Sequence, residues 1–110
     1  MKIKGSLLLV LLLHAFLFAN AQIETNTGTV LESLTLKSNV LGKELKYSVY
    51  LPSGYCSSTR SYPVLYLLHG YTDDETSWIQ FGEVNSIADR LFGNNEATPM
   101  IIVMPDAGLS

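Results

Sequence analysis

The sequence predicts an α/β fold: an antiparallel edge hairpin, then parallel central strands joined by a crossover helix. Three observations carry this. Lys43 to Leu51 alternates in polarity with period two. Val64 to Leu68 and Met100 to Met104 are continuous apolar runs too short for helices. Between those runs lies one segment with helical periodicity.

The chain has 110 residues and a formal net charge of −3, with ordinary globular composition. That is enough for about one small domain. Basic residues do not cluster outside the extreme N-terminus, so the chain lacks the electrostatic footprint of a nucleic-acid binder. Residues 1–21 read as a secretory signal peptide. Lys2 and Lys4 form the charged region, Leu7 to Leu13 the apolar core, and Ala19-Asn20-Ala21 a small-x-small cleavage site. Cleavage is expected between Ala21 and Gln22, giving a secreted or periplasmic protein. The apolar span is short of the roughly 20 residues a membrane crossing needs, so no stable membrane anchor is expected. Cys56, the only cysteine, lies in a polar loop without a neighbouring histidine and is not expected to act as a nucleophile.

Within residues 22–110, Thr29 to Leu36 reads as the first strand. In the second, Lys43 to Leu51, the residues Leu45, Tyr47, Val49 and Leu51 share one face, and Lys46, Ser48 and Tyr50 the other. Asn39 and Gly42 in the short connection predict a hairpin. Pro52 ends the second strand. The two apolar runs predict strands buried on both faces, as in a parallel sheet with helices on each side. The chain between them is long enough for a crossover. There Val84, Ile87, Ala88, Leu91 and Phe92 form one buried helical stripe, with Asn85, Asp89 and Arg90 facing away. Gly93 with Asn94-Asn95 is the expected stop. Two central strands and one helix cannot cover both faces of such a sheet, so the chain is expected to be part of a larger domain.

Asp73-Asp74-Glu75 could suggest a metal site, but no histidine or further acid is placed to join it. Thr72 and Glu75 have capping-box spacing, which predicts a helix start instead.

The stretch "YPVLYLLHGYTDDETSW", the helix after it and "MIIVMPDAG" together resemble the N-terminal part of the esterase D-like branch of the α/β-hydrolases. That branch includes feruloyl and acetylxylan esterases, S-formylglutathione hydrolases and mycolyltransferases. "VYLPSGY" fits it too. The resemblance implies the N-terminal part of an α/β-hydrolase sheet and a serine esterase that needs no cofactor and no metal. In this fold one oxyanion-hole donor is a backbone N–H after the third strand. The resemblance places it on Tyr71. Gly70 is expected to let the backbone turn there. His69 precedes any nucleophile, whereas the triad histidine comes last in chain order, so His69 and Gly70 are assigned to the turn. Trp78 is expected either to wall the substrate cleft or to pack. Asp106 lies where family members carry active-site loop residues.

No G-x-S-x-G occurs in the sequence. The resemblance implies that the nucleophile elbow, the acid and the histidine of the triad lie beyond Ser110, so this chain alone is expected to be inactive. With export, it implies an ester substrate such as an acylated glycan, plant xylan among them. Acyl transfer, or a non-catalytic binding role for a relative or truncated fragment, remain open at this level.

Overall fold

The structure, a computed structural model, describes residues 26–108. The expected signal peptide and its cleavage site lie outside them. Strands β1 (Thr29–Ser38) and β2 (Lys43–Leu51) form the expected antiparallel hairpin. The turn between them is closed by Gly42 N–H on the Ser38 carbonyl (2.9 Å). A single 3-10 turn, Tyr55–Ser57, follows, and Cys56 within it is exposed and free. Then come β3 (Val64–Tyr66), the short helix α1 (Ser77–Gln80), helix α2 (Val84–Gly93) and β4 (Ile101–Pro105). The sheet order is β1-β2-β4-β3, with β2 antiparallel and β3 parallel to β4.

β4 is therefore a central strand and β3 an edge strand among the described residues. The core sits where β2 and β4 meet α2. Tyr50, Ala88, Ile102 and Met104 are buried there, with Val30, Val84 and Phe92 packed against them. Tyr50 pairs in register with Ile102, and Ser48 with Met104, so these four share a face. Hence the side of β2 that carries the core is that of Ser48 and Tyr50, not the more apolar side of Leu45 and Tyr47. Polar atoms make this possible. The Tyr50 hydroxyl donates to Asp89 Oδ1 at 2.7 Å, and the same oxygen accepts the Gly28 N–H at 2.7 Å. Asp89 was expected to face solvent. It turns inward instead, because a buried phenol needs a partner and the helix supplies one. Burial, the Asp89 hydrogen bond and the Asp89 charge all hold the Tyr50 hydroxyl far above its ordinary pKa.

A second departure concerns β3. Its run was expected to be covered on both faces, yet Val64, Leu65, Tyr66 and Leu68 are exposed. The strand has a neighbour on one side only, and no described helix packs over it. In β4 the expectation holds in part: Ile102 and Met104 are buried, while Ile101 and Val103 are half-buried.

β1 carries a bulge. Between the pairs Leu31↔Val49 and Leu34↔Tyr47, Glu32 and Ser33 oppose Ser48 alone. Ser33 takes the left-handed region (φ 52), and its N–H donates to Ser48 Oγ at 3.1 Å. The fully buried Ser48 thus satisfies the amide that the bulge removes from the ladder.

Candidate active site

Parallel strands bring their C-terminal ends together, and in open α/β sheets that edge is where ligands bind. Here it brings together the turn after β3, with His69, Gly70 and Tyr71, and the turn after β4, with Asp106. His69 Nδ1 lies 2.7 Å from the Gly70 carbonyl oxygen, and Nε2 lies 2.9 Å from the Ala107 amide nitrogen. An amide can only donate, so Nε2 accepts and Nδ1–H donates to Gly70. Nε2 also lies 3.2 Å from Asp106 Oδ1, a pair that becomes a hydrogen bond only when the ring is protonated. The Gly70 carbonyl raises the His69 pKa above its ordinary 6.5, partial burial opposes this, and the charges of Asp106 and Asp73 add to the rise. Asp106 Oδ1 also accepts the Gly108 N–H at 2.9 Å. The imidazole thereby staples one strand-end turn to the other.

The next turn closes with the Asp73 N–H on the Gly70 carbonyl (3.2 Å). Its third residue, Thr72, has φ 68. Gly70, expected to let the backbone turn without a Cβ clash, does so without taking a positive φ. A β-branched residue carries it instead, a strained arrangement of the kind that clusters at functional sites. What glycine gives at position 70 is room: a Cβ there would come within 3.2 Å of Asp73 Oδ2. The Tyr71 N–H has no hydrogen-bond partner among the described residues, and its side chain is largely exposed. His69, Gly70, Tyr71 and Asp106 line one open cleft of about 500 Å³.

A neighbouring cleft of about 410 Å³ shares His69 and Gly70 and is walled by Trp78 and Phe81. Trp78 Nε1–H donates to the Leu68 carbonyl at 2.9 Å, which ties α1 to the end of β3. The ring lies against Gly82, where a Cβ would be 2.8 Å from it and 2.7 Å from the Trp78 carbonyl oxygen. Trp78 therefore both packs and faces a cleft.

The expected capping box is not formed. Asp74, not Thr72, organises the approach to α1. Its Oδ1 accepts from the N–H and hydroxyl of Thr76 (2.8 and 2.7 Å), and its own N–H donates to Ser77 Oγ (3.1 Å). The bonds that Oδ1 accepts, the Thr76 hydroxyl foremost, hold the Asp74 carboxyl below its usual pKa. Glu75 is drawn away from the helix and buried, where it accepts a hydrogen bond from Ser33 Oγ at 2.9 Å. The spacing D-x-T-S was a readable sign of Asp74's role. Glu75's partner is a bulge residue far along the chain, and no local pattern points to it. Among the described residues, no group of three or more His, Cys, Asp or Glu side chains is placed to hold a metal ion.

A family model described as "Putative esterase" matches residues 38–110. The chain belongs to this esterase family. It is 38% identical over 85 residues to an endo-1,4-beta-xylanase/feruloyl esterase of Xylanibacter ruminicola, an alignment covering 74% of this chain and 12% of that protein. Among solved structures, a ferulic acid esterase matches with a TM-score of 0.72 and 39% identity, over 78% of this chain and 33% of the other. A ferulic acid esterase from Anaeromyces mucronatus, solved in complex with ferulic acid, matches with a TM-score of 0.65 and 34% identity, over 79% and 31%. The chain thus spans about a third or less of the relatives it matches. The four-stranded mixed sheet is a partial α/β fold consistent with the N-terminal portion of an esterase D-like α/β-hydrolase.

Proposed function

We propose that this esterase-family chain contributes the oxyanion-binding edge of an exported serine carboxylesterase that acts on acylated carbohydrate. The observation that carries the reading is the Tyr71 N–H. It has no hydrogen-bond partner among the described residues and lies in the turn that follows β3, in a cleft at the C-terminal edge of parallel strands. Such a donor stabilises charge that develops only in the tetrahedral transition state. His69 and Gly70 shape that turn, and Trp78 and Asp106 face the substrate from the two clefts. No described residue is assigned as nucleophile or general base, and no cofactor or metal takes part.

Feruloyl esterases among the relatives, one holding ferulic acid and another sinapinate, support a hydroxycinnamoyl ester as the substrate class. The leader sequence supports export, where plant polysaccharide esters would be met.

The test uses the complete protein encoded by the gene, assayed on methyl ferulate. Tyr71→Phe keeps the backbone donor and is expected to keep most of kcat. Tyr71→Pro removes the N–H and is expected to lower kcat by roughly 10²–10³-fold. Circular dichroism checks that the proline variant folds. A folded, fully active Tyr71→Pro enzyme overturns the assignment.

A further inference from the structure

We infer that Glu75 and Ser33 are positioning residues, a latch that ties the turn after β3 across the sheet and holds the Tyr71 amide in place. This rests on the oxyanion role proposed for Tyr71. Glu75 is the only charged residue that is buried among the described residues, at 6% exposure. A buried carboxylate is costly unless it is hydrogen-bonded, and here it accepts from the Ser33 hydroxyl at 2.9 Å. The two residues belong to segments that start from opposite edges of the sheet. The turn follows β3, Ser33 lies in β1, and β4 and β2 stand between those strands. The other bonds that shape the turn are local: Asp74 to Thr76 and Ser77, and Trp78 to Leu68. His69 ties it to the adjacent β4 turn. Among the described residues, only the Glu75–Ser33 bond links this turn to the far edge strand.

The residue type at position 33 supports the same reading. Its φ of 52 is held more cheaply by glycine or asparagine. What serine adds is a hydroxyl, and that hydroxyl goes to Glu75. The bulge aims it, and Ser48 Oγ secures the bulge by accepting the Ser33 N–H. Four residues before Glu75 stands the Tyr71 amide, with strained Thr72 between them. A turn held at both ends can keep such strain, and a turn released at Glu75 would relax it.

The test again uses the complete protein. Ser33→Gly keeps the left-handed backbone and removes the hydroxyl; the strain relieved at φ 52 offsets part of the cost of leaving Glu75 unpaired, so thermal stability is expected to fall only modestly. Yet kcat on methyl ferulate is expected to fall by roughly 10- to 10²-fold, the scale of a small misplacement of a catalytic group, with KM little changed. Amide hydrogen exchange over residues 69–76 is expected to speed up by about tenfold as the turn opens locally. Glu75→Gln keeps an acceptor and is expected to retain most of kcat. Glu75→Met removes the latch from the other side and is expected to match Ser33→Gly, which covers the case in which the glycine variant misfolds. In a folded variant lacking the bond, unchanged exchange or unchanged kcat overturns the latch. If the wild-type protein hydrolyses no ester, the proposed activity fails by itself. Hydrogen exchange then decides separately whether the bond holds the turn.

Discussion

The runs Val64–Leu68 and Met100–Met104 look alike in sequence, five apolar residues bounded by turn residues, and they pair with each other in parallel. Their surroundings differ. β4 has a strand on each side and α2 over one face, and it buries Ile102 and Met104 almost completely. β3 has β4 on one side, and its side chains stand largely in solvent: Val64 is 47% exposed, Leu65 42% and Tyr66 68%. A continuous apolar run records what a strand requires of its neighbours. Place in the sheet decides whether the requirement is met. The contrast bears on function too, because the candidate site grows from the ends of both strands. One end is anchored in the core, and the other depends on the polar ties of His69, Trp78 and Glu75.

The sharpest way to break this comparison is to place the same charge in each strand of the 110-residue chain. Met104→Asp puts a carboxylate where the residue is 1% exposed, in the cluster of Tyr50, Ala88 and Ile102. A loss of roughly 4 kcal/mol or more is expected, enough to abolish cooperative unfolding. Tyr66→Asp alters an exposed site and is expected to change stability by about 0.5 kcal/mol or less, while lowering binding of a hydrophobic dye. Urea denaturation followed by circular dichroism checks both. Equal losses from the two variants would show that β3 is buried as deeply as β4.

The local patterns carried most of the architecture. Alternation located β2, and the i, i+3, i+4 stripe located α2, but neither fixed the buried face: β2 carries the core on the side of Ser48 and Tyr50, and Ile87 of the expected buried stripe is 42% exposed. The failures share one physical cause, dependence on residues distant in sequence. Asp89 turns inward for Tyr50 and Gly28, and Glu75 for Ser33. Both look like surface acids until the fold supplies their partners. The His-Gly turn was legible as a turn, as was the room Gly70 gives it; the positive φ at Thr72 was not. Asp106 could be singled out by resemblance, but its approach to His69 Nε2 belongs to the register of two parallel strands.

A smaller effect sharpens the core side of the comparison. Tyr50→Phe keeps the ring against Phe92, whose centroid is 6.0 Å away, and removes the hydroxyl that Asp89 accepts. The expected cost is about 2 kcal/mol, the size of a hydrogen bond to a charged group. Its pH dependence has a definite sign. The folded pKa of Tyr50 is raised above the ordinary 10.0, so the stability it contributes is complete below pH 10 and is lost as pH climbs above it. Wild type is expected to lose stability in that alkaline range faster than Tyr50→Phe. Parallel alkaline losses would mean that the hydroxyl is not held by the core.

The smallest effect belongs to the site side, where the tie is an imidazole that keeps 9% of its side-chain surface exposed, and not a phenol sealed in the core. The His69 pKa is raised above 6.5, first by the Gly70 carbonyl and then by Asp106. A raised folded pKa means that the stabilisation is complete below pH 6.5 and is lost as pH rises through the folded value. The melting temperatures of wild type and His69→Asn are therefore expected to differ more at pH 5.5 than at pH 8.5. Proton NMR of a chain carrying His14→Gln isolates the His69 ring, since those are the only two histidines. Its midpoint is expected above 6.5. Asp106→Asn is expected to bring it only part of the way back, because the Gly70 carbonyl still accepts from Nδ1–H. Protonation also takes the Nε2 lone pair from the Ala107 amide and offers a proton to Asp106 in its place. The Ala107 amide resonance is thus expected to shift with the same midpoint as the ring. A midpoint at or below 6.5, or an Ala107 amide that ignores the titration, would mean that His69 does not join the two strand ends.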